Sequence, residues 1–175
     1  MATTLWISAA VFALASGITD LLWRKIPNWL TYPAVPVAIV LHGIAGGWRG
    51  ALLSVAGAAL GLGIFFPFVL LRQLGGGDWK LIGALGAFFQ ARRLIPVLLI
   101  ALIANGLMAL MLVVAQKRLR TTIRNIGRLL GSLLWFRPPA PELTIDSAES
   151  AKVPFGIAAA IAVLGYAASQ PWAVF

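Results

Sequence analysis

Two carboxylates stand apart from the other charged groups of this chain. Asp20 closes an apolar stretch and precedes Arg24-Lys25-Ile26-Pro27-Asn28-Trp29-Leu30-Thr31. Asp78 follows Gly75-Gly76-Gly77 and leads into Trp79-Lys80. The remaining acids, Glu142, Asp146 and Glu149, share one polar stretch. An ionisable group in or beside apolar sequence is costly to keep and marks a functional site by default. Two such carboxylates brought together cannot both ionise easily, so they share one proton and titrate as a unit. The ionised partner can then draw a proton from water while the protonated one polarises a carbonyl. The sequence does not say which of the two holds the proton. There is no cysteine and one histidine, His42. That composition excludes a thiol nucleophile, a disulfide framework, and a cysteine-type zinc or iron–sulfur site. It leaves a His-based triad or His-rich metal centre implausible, and no metal or cofactor is expected.

Each motif also has a plainer reading. Asp20 can pair with Arg24 at helical i, i+4 spacing. Asp78 can be a helix N-cap behind a glycine turn. Pro27 stops a helix and pushes Ile26 toward an extended conformation, and Asn28 can cap or turn the chain. A third motif, Lys152-Val153-Pro154-Phe155-Gly156, places Pro154 where helices begin. Phosphate cradling at the glycine run is disfavoured, because the loop ends in an acid and no Gly-Lys-Ser/Thr follows.

The elements that must carry these residues are membrane helices. Of 175 residues, 61% are hydrophobic and 11% charged, with mean hydropathy +0.93. A soluble domain carries about 25% charged residues, so a water-soluble globule and a disordered chain are both excluded. Residues 3–23, 30–46, 51–71, 79–90, 94–115 and 153–173 are apolar and approach the ~20 residues that span a bilayer. The expected fold is an all-α polytopic bundle of about six transmembrane helices forming one domain over residues 1–175. Segment 79–90 is short and must be extended, tilted or buried in protein. Segment 3–23 has no preceding cation, so it reads as a retained helix rather than a signal peptide. Residues 117–136 alternate apolar Leu119, Ile123, Ile126, Leu130 and Leu133 with Arg120, Arg124 and Arg128, the pattern of a basic amphipathic helix lying in the interface. Residues 138–150 read as a loop.

Charge placement gives an orientation. With six crossings, 11 of the 14 Lys and Arg fall on one side and Arg49, Arg92 and Arg93 on the other. The rich side is expected to be cytoplasmic, beside anionic headgroups. Asp20 and Asp78 both fall at that side, at one depth, although 58 positions separate them.

Together the motifs resemble the type IV prepilin peptidases, intramembrane GxGD aspartyl proteases. The resemblance rests on Asp20 with Ile26-Pro27-Asn28-Trp29-Leu30-Thr31, on Gly75-Gly76-Gly77-Asp78-Trp79-Lys80 with Ala84-Leu85-Gly86-Ala87, and on Pro154-Phe155-Gly156. It implies an aspartic endopeptidase with Asp20 and Asp78 as the catalytic pair. The substrate implied is a prepilin or pseudopilin, cut after a leader glycine on the cytoplasmic side of the bacterial inner membrane. Gly75, Gly76 and Gly77 would let an extended substrate approach, and Lys80 would support Asp78 or bind substrate. Pro27, Asn28 and Pro154 would shape the surrounding turns. Larger members carry a cysteine-bearing region and N-methylate their product. This cysteine-free chain resembles the short, peptidase-only members of Flp or tad pilus systems, so methyltransferase activity is not expected. The rivals are a non-catalytic membrane subunit of a pilus or secretion assembly and an ion-coupled transporter. No internal repeat supports transport. The net charge of +9 comes without interleaved aromatics, so a nucleic-acid partner is not expected.

Overall fold

A computed structural model describes residues 2–117, 122–127, 131 and 153–169. Among the described residues the chain forms four main helices: α1 (Ala2–Trp23), α2 (Asn28–Leu70), α3 (Gly76–Ala115) and α4 (Phe155–Ser169). Among the described residues there is no strand. This is the all-α bundle expected, and α1, α2 and α3 are long and apolar enough to cross a membrane. Of the expected amphipathic helix, residues 122–127 are helical, with Ile123 and Ile126 exposed. Apart from residues 117 and 131, the rest of that segment, and the 138–150 loop, lie outside the described residues.

Helix α2 has 43 residues. Straight, it would run ~65 Å, about twice a hydrocarbon core. Instead it doubles back. Gly46 and Gly47 leave helical geometry, Gly47 at φ 63° where glycine alone is at ease. A Cβ built on Gly43 would lie 3.7 Å from that of Ala51, and one on Gly50 would strike the His42 carbonyl. Residues eight apart in an unbroken helix are ~12 Å apart, so the chain reverses at this glycine pair. Helix α3 breaks at Gln90, with φ 56° and ψ 171°. Such a conformation at a non-glycine residue costs on the order of 1–3 kcal/mol. His42 helps to hold it. Its Nε2 donates to the Phe88 carbonyl at 2.9 Å, and its Nδ1 accepts from the Gln90 carboxamide at 3.0 Å. In a continuous helix the N–H of residue 92 would serve that carbonyl. Both breaks fall at the C-terminal ends of apolar segments read from the sequence, 30–46 and 79–90.

The first arm of α3 is the centre of the molecule. Leu81 to Phe89 are buried without interruption, as suits a helix apolar on every side. Its shortness is therefore answered by protein burial. The second arm of α2 packs against it at backbone distance. A Cβ on Gly57 would collide with the Gly86 carbonyl, and one on Gly86 with that of Gly57. Ser54 Oγ donates to the Ala87 carbonyl and Trp79 Nε1 to that of Leu62, both at 2.8 Å. Gly57→Ala and Gly86→Ala are therefore each expected to destabilise the bundle by about 1–3 kcal/mol, read as a lower Tm in detergent. Gly63→Ala, where an added Cβ meets nothing within 4 Å, should leave Tm unchanged.

Helix α1 buries one stripe, Ala9, Phe12, Ala13, Ser16, Gly17 and Asp20, and exposes Ile7, Val11 and Ile18. The stripe repeats at three and four residues, so Asp20 sits on the inward face by helical geometry alone. Its small members let α4 come close: a Cβ on Gly17 would lie 3.2 Å from that of Ala160. Small residues at such seams are the usual route to tight helix contact in membranes. Helices α1, α2 and α3 each end within two residues of a basic residue at positive φ, namely Arg24, Arg72 and Lys117. A cation there complements the negative end of the helix dipole.

Candidate active site

One cavity of about 600 Å³ collects side chains from distant parts of the chain. Asp20 and Ile26 come from the end of α1 and its loop, and Gln73, Gly75, Gly77 and Asp78 from the turn into α3. Asn105 comes from the second arm of α3, and Pro154 and Phe155 from the start of α4. Asp78 and Asn105 would be ~40 Å apart in a straight helix; the fold-back at Gln90 brings both to one cavity.

The two carboxylates are held differently. Asp20 is buried, and its Oδ2 accepts the Gly156 backbone N–H at 2.7 Å. That amide belongs to the first turn of α4, whose unpaired N–H groups and dipole favour a negative partner. Glycine is needed there because a Cβ would sit 2.7 Å from the Ser16 carbonyl oxygen and 2.8 Å from Asp20 Cβ. Arg24 is close enough to act on Asp20 electrostatically. Asp78 lies in the first turn of α3 behind its N-cap, Gly75, which makes no side-chain capping bond. Among the described residues none hydrogen-bonds its carboxylate. Asp78 is thus not the N-cap itself.

Of the residues singled out in the sequence, Asp20, Asp78, Gly75, Gly77 and Pro154 line the cavity. Gly76 opens α3. Pro27 is the N-cap of α2, at φ −73° and ψ 146°, so Asn28 is the first helical residue rather than a cap. Asn28 Oδ1 instead accepts from Lys80 Nζ at 2.9 Å, and that ammonium lies 4.9 Å from the Tyr32 ring centre. The arrangement fastens the start of α2 to the start of α3, and does not direct Lys80 to Asp78.

Three participants escaped the sequence reading: Gln73, Asn105 and the Gly156 amide. Asn105 carried a usable signal, a carboxamide inside an otherwise apolar run. Gln73 looked like an ordinary loop residue. A backbone amide carries no signal of its own.

A family model described as the type IV leader peptidase family matches residues 7–110. The chain belongs to that family. The matched stretch of this leader-peptidase family member holds both Asp20 and Asp78 and stops short of α4. The chain is also similar to the prepilin leader peptidase/N-methyltransferase of Xanthomonas campestris pv. campestris. The two are 27% identical over 136 residues, covering 74% of this chain and 47% of that protein. The chain thus spans about half the length of that curated relative. No solved structure matches it.

Proposed function

We propose that this chain is a membrane-embedded aspartic endopeptidase that removes the short basic leader of prepilin-like precursors. The observation that carries the reading is the pair of aspartates from distant segments lining one cavity at one end of the bundle. The family membership supports the choice of substrate class.

In this mechanism the pair holds one proton. The amide of Gly156 is best served by a negatively charged acceptor, so Asp20 is the ionised partner and Asp78 the protonated one. Asp20 takes a proton from a water lying between them. The resulting hydroxide oxygen bonds to the scissile carbonyl carbon while Asp78 gives its proton to the carbonyl oxygen. As the C–N bond breaks, Asp20 passes its proton to the departing amine, and Asp78 recovers one from the hydroxyl of the collapsing intermediate. The products are a leader ending in a carboxyl group and a mature chain with a free amine. The cavity lies at the end carrying Arg24, Lys25, Arg72 and Lys80, which by the positive-inside rule is the cytoplasmic end.

Expressed beside a prepilin in a host lacking its own leader peptidase, the protein should shorten the precursor. A precursor that stays full length would contradict the proposal. A shared proton also sets the pH dependence. At low pH both carboxyls are protonated and no base remains; at high pH both are ionised and no acid remains. The kcat/KM of the purified protein should rise and then fall with pH. A profile flat across the range in which the protein stays folded would argue against the pair.

A further inference from the structure

Two side chains of the cavity have unmet hydrogen-bonding capacity. Gln73 Nε2 and Asn105 Oδ1 are fully shielded from solvent and make no hydrogen bond. Among the described residues they are the buried side-chain polar atoms in that state, and both residues line the cavity shared by Asp20 and Asp78. Buried polar atoms are nearly always paired, so an orphan calls for an explanation. The cost is sharper for Asn105, which interrupts the apolar run of the second arm of α3.

One orphan is a donor and the other an acceptor. An extended peptide offers the complement along its main chain, carbonyl oxygens and N–H groups in alternation. We propose that Gln73 and Asn105 turn their carboxamides into the cavity and bind the substrate's main chain across it, Gln73 donating to a carbonyl and Asn105 accepting an N–H. If both carboxamides are turned end for end, the two residues exchange roles, and the pair still offers one donor and one acceptor. Recognition of this kind reads the extended backbone rather than side chains. It suits a peptidase whose substrate must unwind from helix before its carbonyl can be attacked. The inference rests on the peptidase reading of the cavity.

Binding tests it apart from turnover. A labelled prepilin peptide spanning the leader junction is titrated into Asp78→Asn protein in nanodiscs, with and without Asn105→Leu or Gln73→Leu. Each added change should weaken binding about twofold to tenfold, the span of one ordinary hydrogen bond. A leucine at either site removes an unpaired polar group, so Tm should hold or rise. In an otherwise native protein the same changes should raise KM and leave kcat within about twofold. A peptide with one junction amide replaced by an ester lacks that N–H. It should bind the Asn105-intact protein more weakly, yet lose nothing further with Asn105→Leu.

Unchanged affinity in both leucine variants would overturn the proposal. So would a fall in Tm with kcat loss and steady KM, the mark of a structural role, or additive effects of every junction ester with Asn105→Leu. If the peptide binds as described but the native protein cleaves nothing, the peptidase reading fails and the backbone contacts stand. If cleavage is normal and affinity ignores both residues, the reverse holds.

Discussion

Asp20→Asn and Asp78→Asn are each expected to leave a prepilin precursor uncut while the protein still inserts and keeps its Tm. A positioned acid or base contributes about a hundredfold to ten-thousandfold, so each single change should lower kcat by at least that much. The double variant tests the idea more severely. Because both carboxyls handle one proton in one step, losing either disables the unit, and the pair of changes should be no worse than one. Quantified precursor and product in membranes expressing equal amounts of each variant give the comparison. Near-normal processing by either single variant, or a double variant whose losses multiply, would remove the shared-proton mechanism. Asparagine is the right replacement because it keeps size and polarity. Asp20 Oδ2 is replaced by a group that can still face Gly156, so the helix seam is preserved.

Gly156→Ala should lower kcat by about ten- to a hundredfold with both carboxylates still present. Its N–H donates to Asp20 Oδ2 at 2.7 Å, and a hydrogen bond to a charged group is worth about 1.5–3 kcal/mol. At 1.36 kcal/mol per factor of ten, that energy gives the stated loss. The added methyl would lie 2.7 Å from the Ser16 carbonyl oxygen. That atom is backbone, so α4 must back away from α1, and the bond lengthens. Gly17→Ala, on the facing helix, is the graded comparison. Its Cβ would lie 3.2 Å from that of Ala160 and 3.3 Å from the Gly156 carbonyl oxygen, tight but able to relax, so a smaller loss is expected. Steady-state kinetics on a prepilin peptide decide the matter. Unchanged kcat in Gly156→Ala would show that the amide does not serve Asp20.

Much of this arrangement can be read before any coordinates, and the reasons are physical. Asp20 and Asp78 are conspicuous because charge is expensive next to hydrocarbon, and the placement of Lys and Arg puts both at one depth. The breaks at Gly46–Gly47 and Gln90 come where the apolar segments 30–46 and 79–90 end, because a reversing chain needs a turn. Other features depend on long-range contact. Gly57 and Gly86 are two of 18 glycines, and only their mutual approach sets them apart. His42 reads as an isolated residue until the break at Gln90 frees the carbonyl it bonds. Lys80 is near Asp78 in sequence, but two positions on is a little over half a helical turn, and its ammonium finds Asn28 and Tyr32 instead. Asn105 marks the boundary between the two kinds of information: its polarity is visible in the sequence, and its neighbours are not.

The central claim is that these two aspartates jointly cleave a prepilin leader. It is tested most directly by incubating the purified protein with a candidate prepilin and reading the product's new N-terminus by mass spectrometry, alongside the Asp20→Asn/Asp78→Asn double variant. The account predicts a single unmethylated N-terminus immediately after the leader glycine, formed by the native protein and absent with the double variant. The same product formed at a comparable rate without either carboxylate would contradict it.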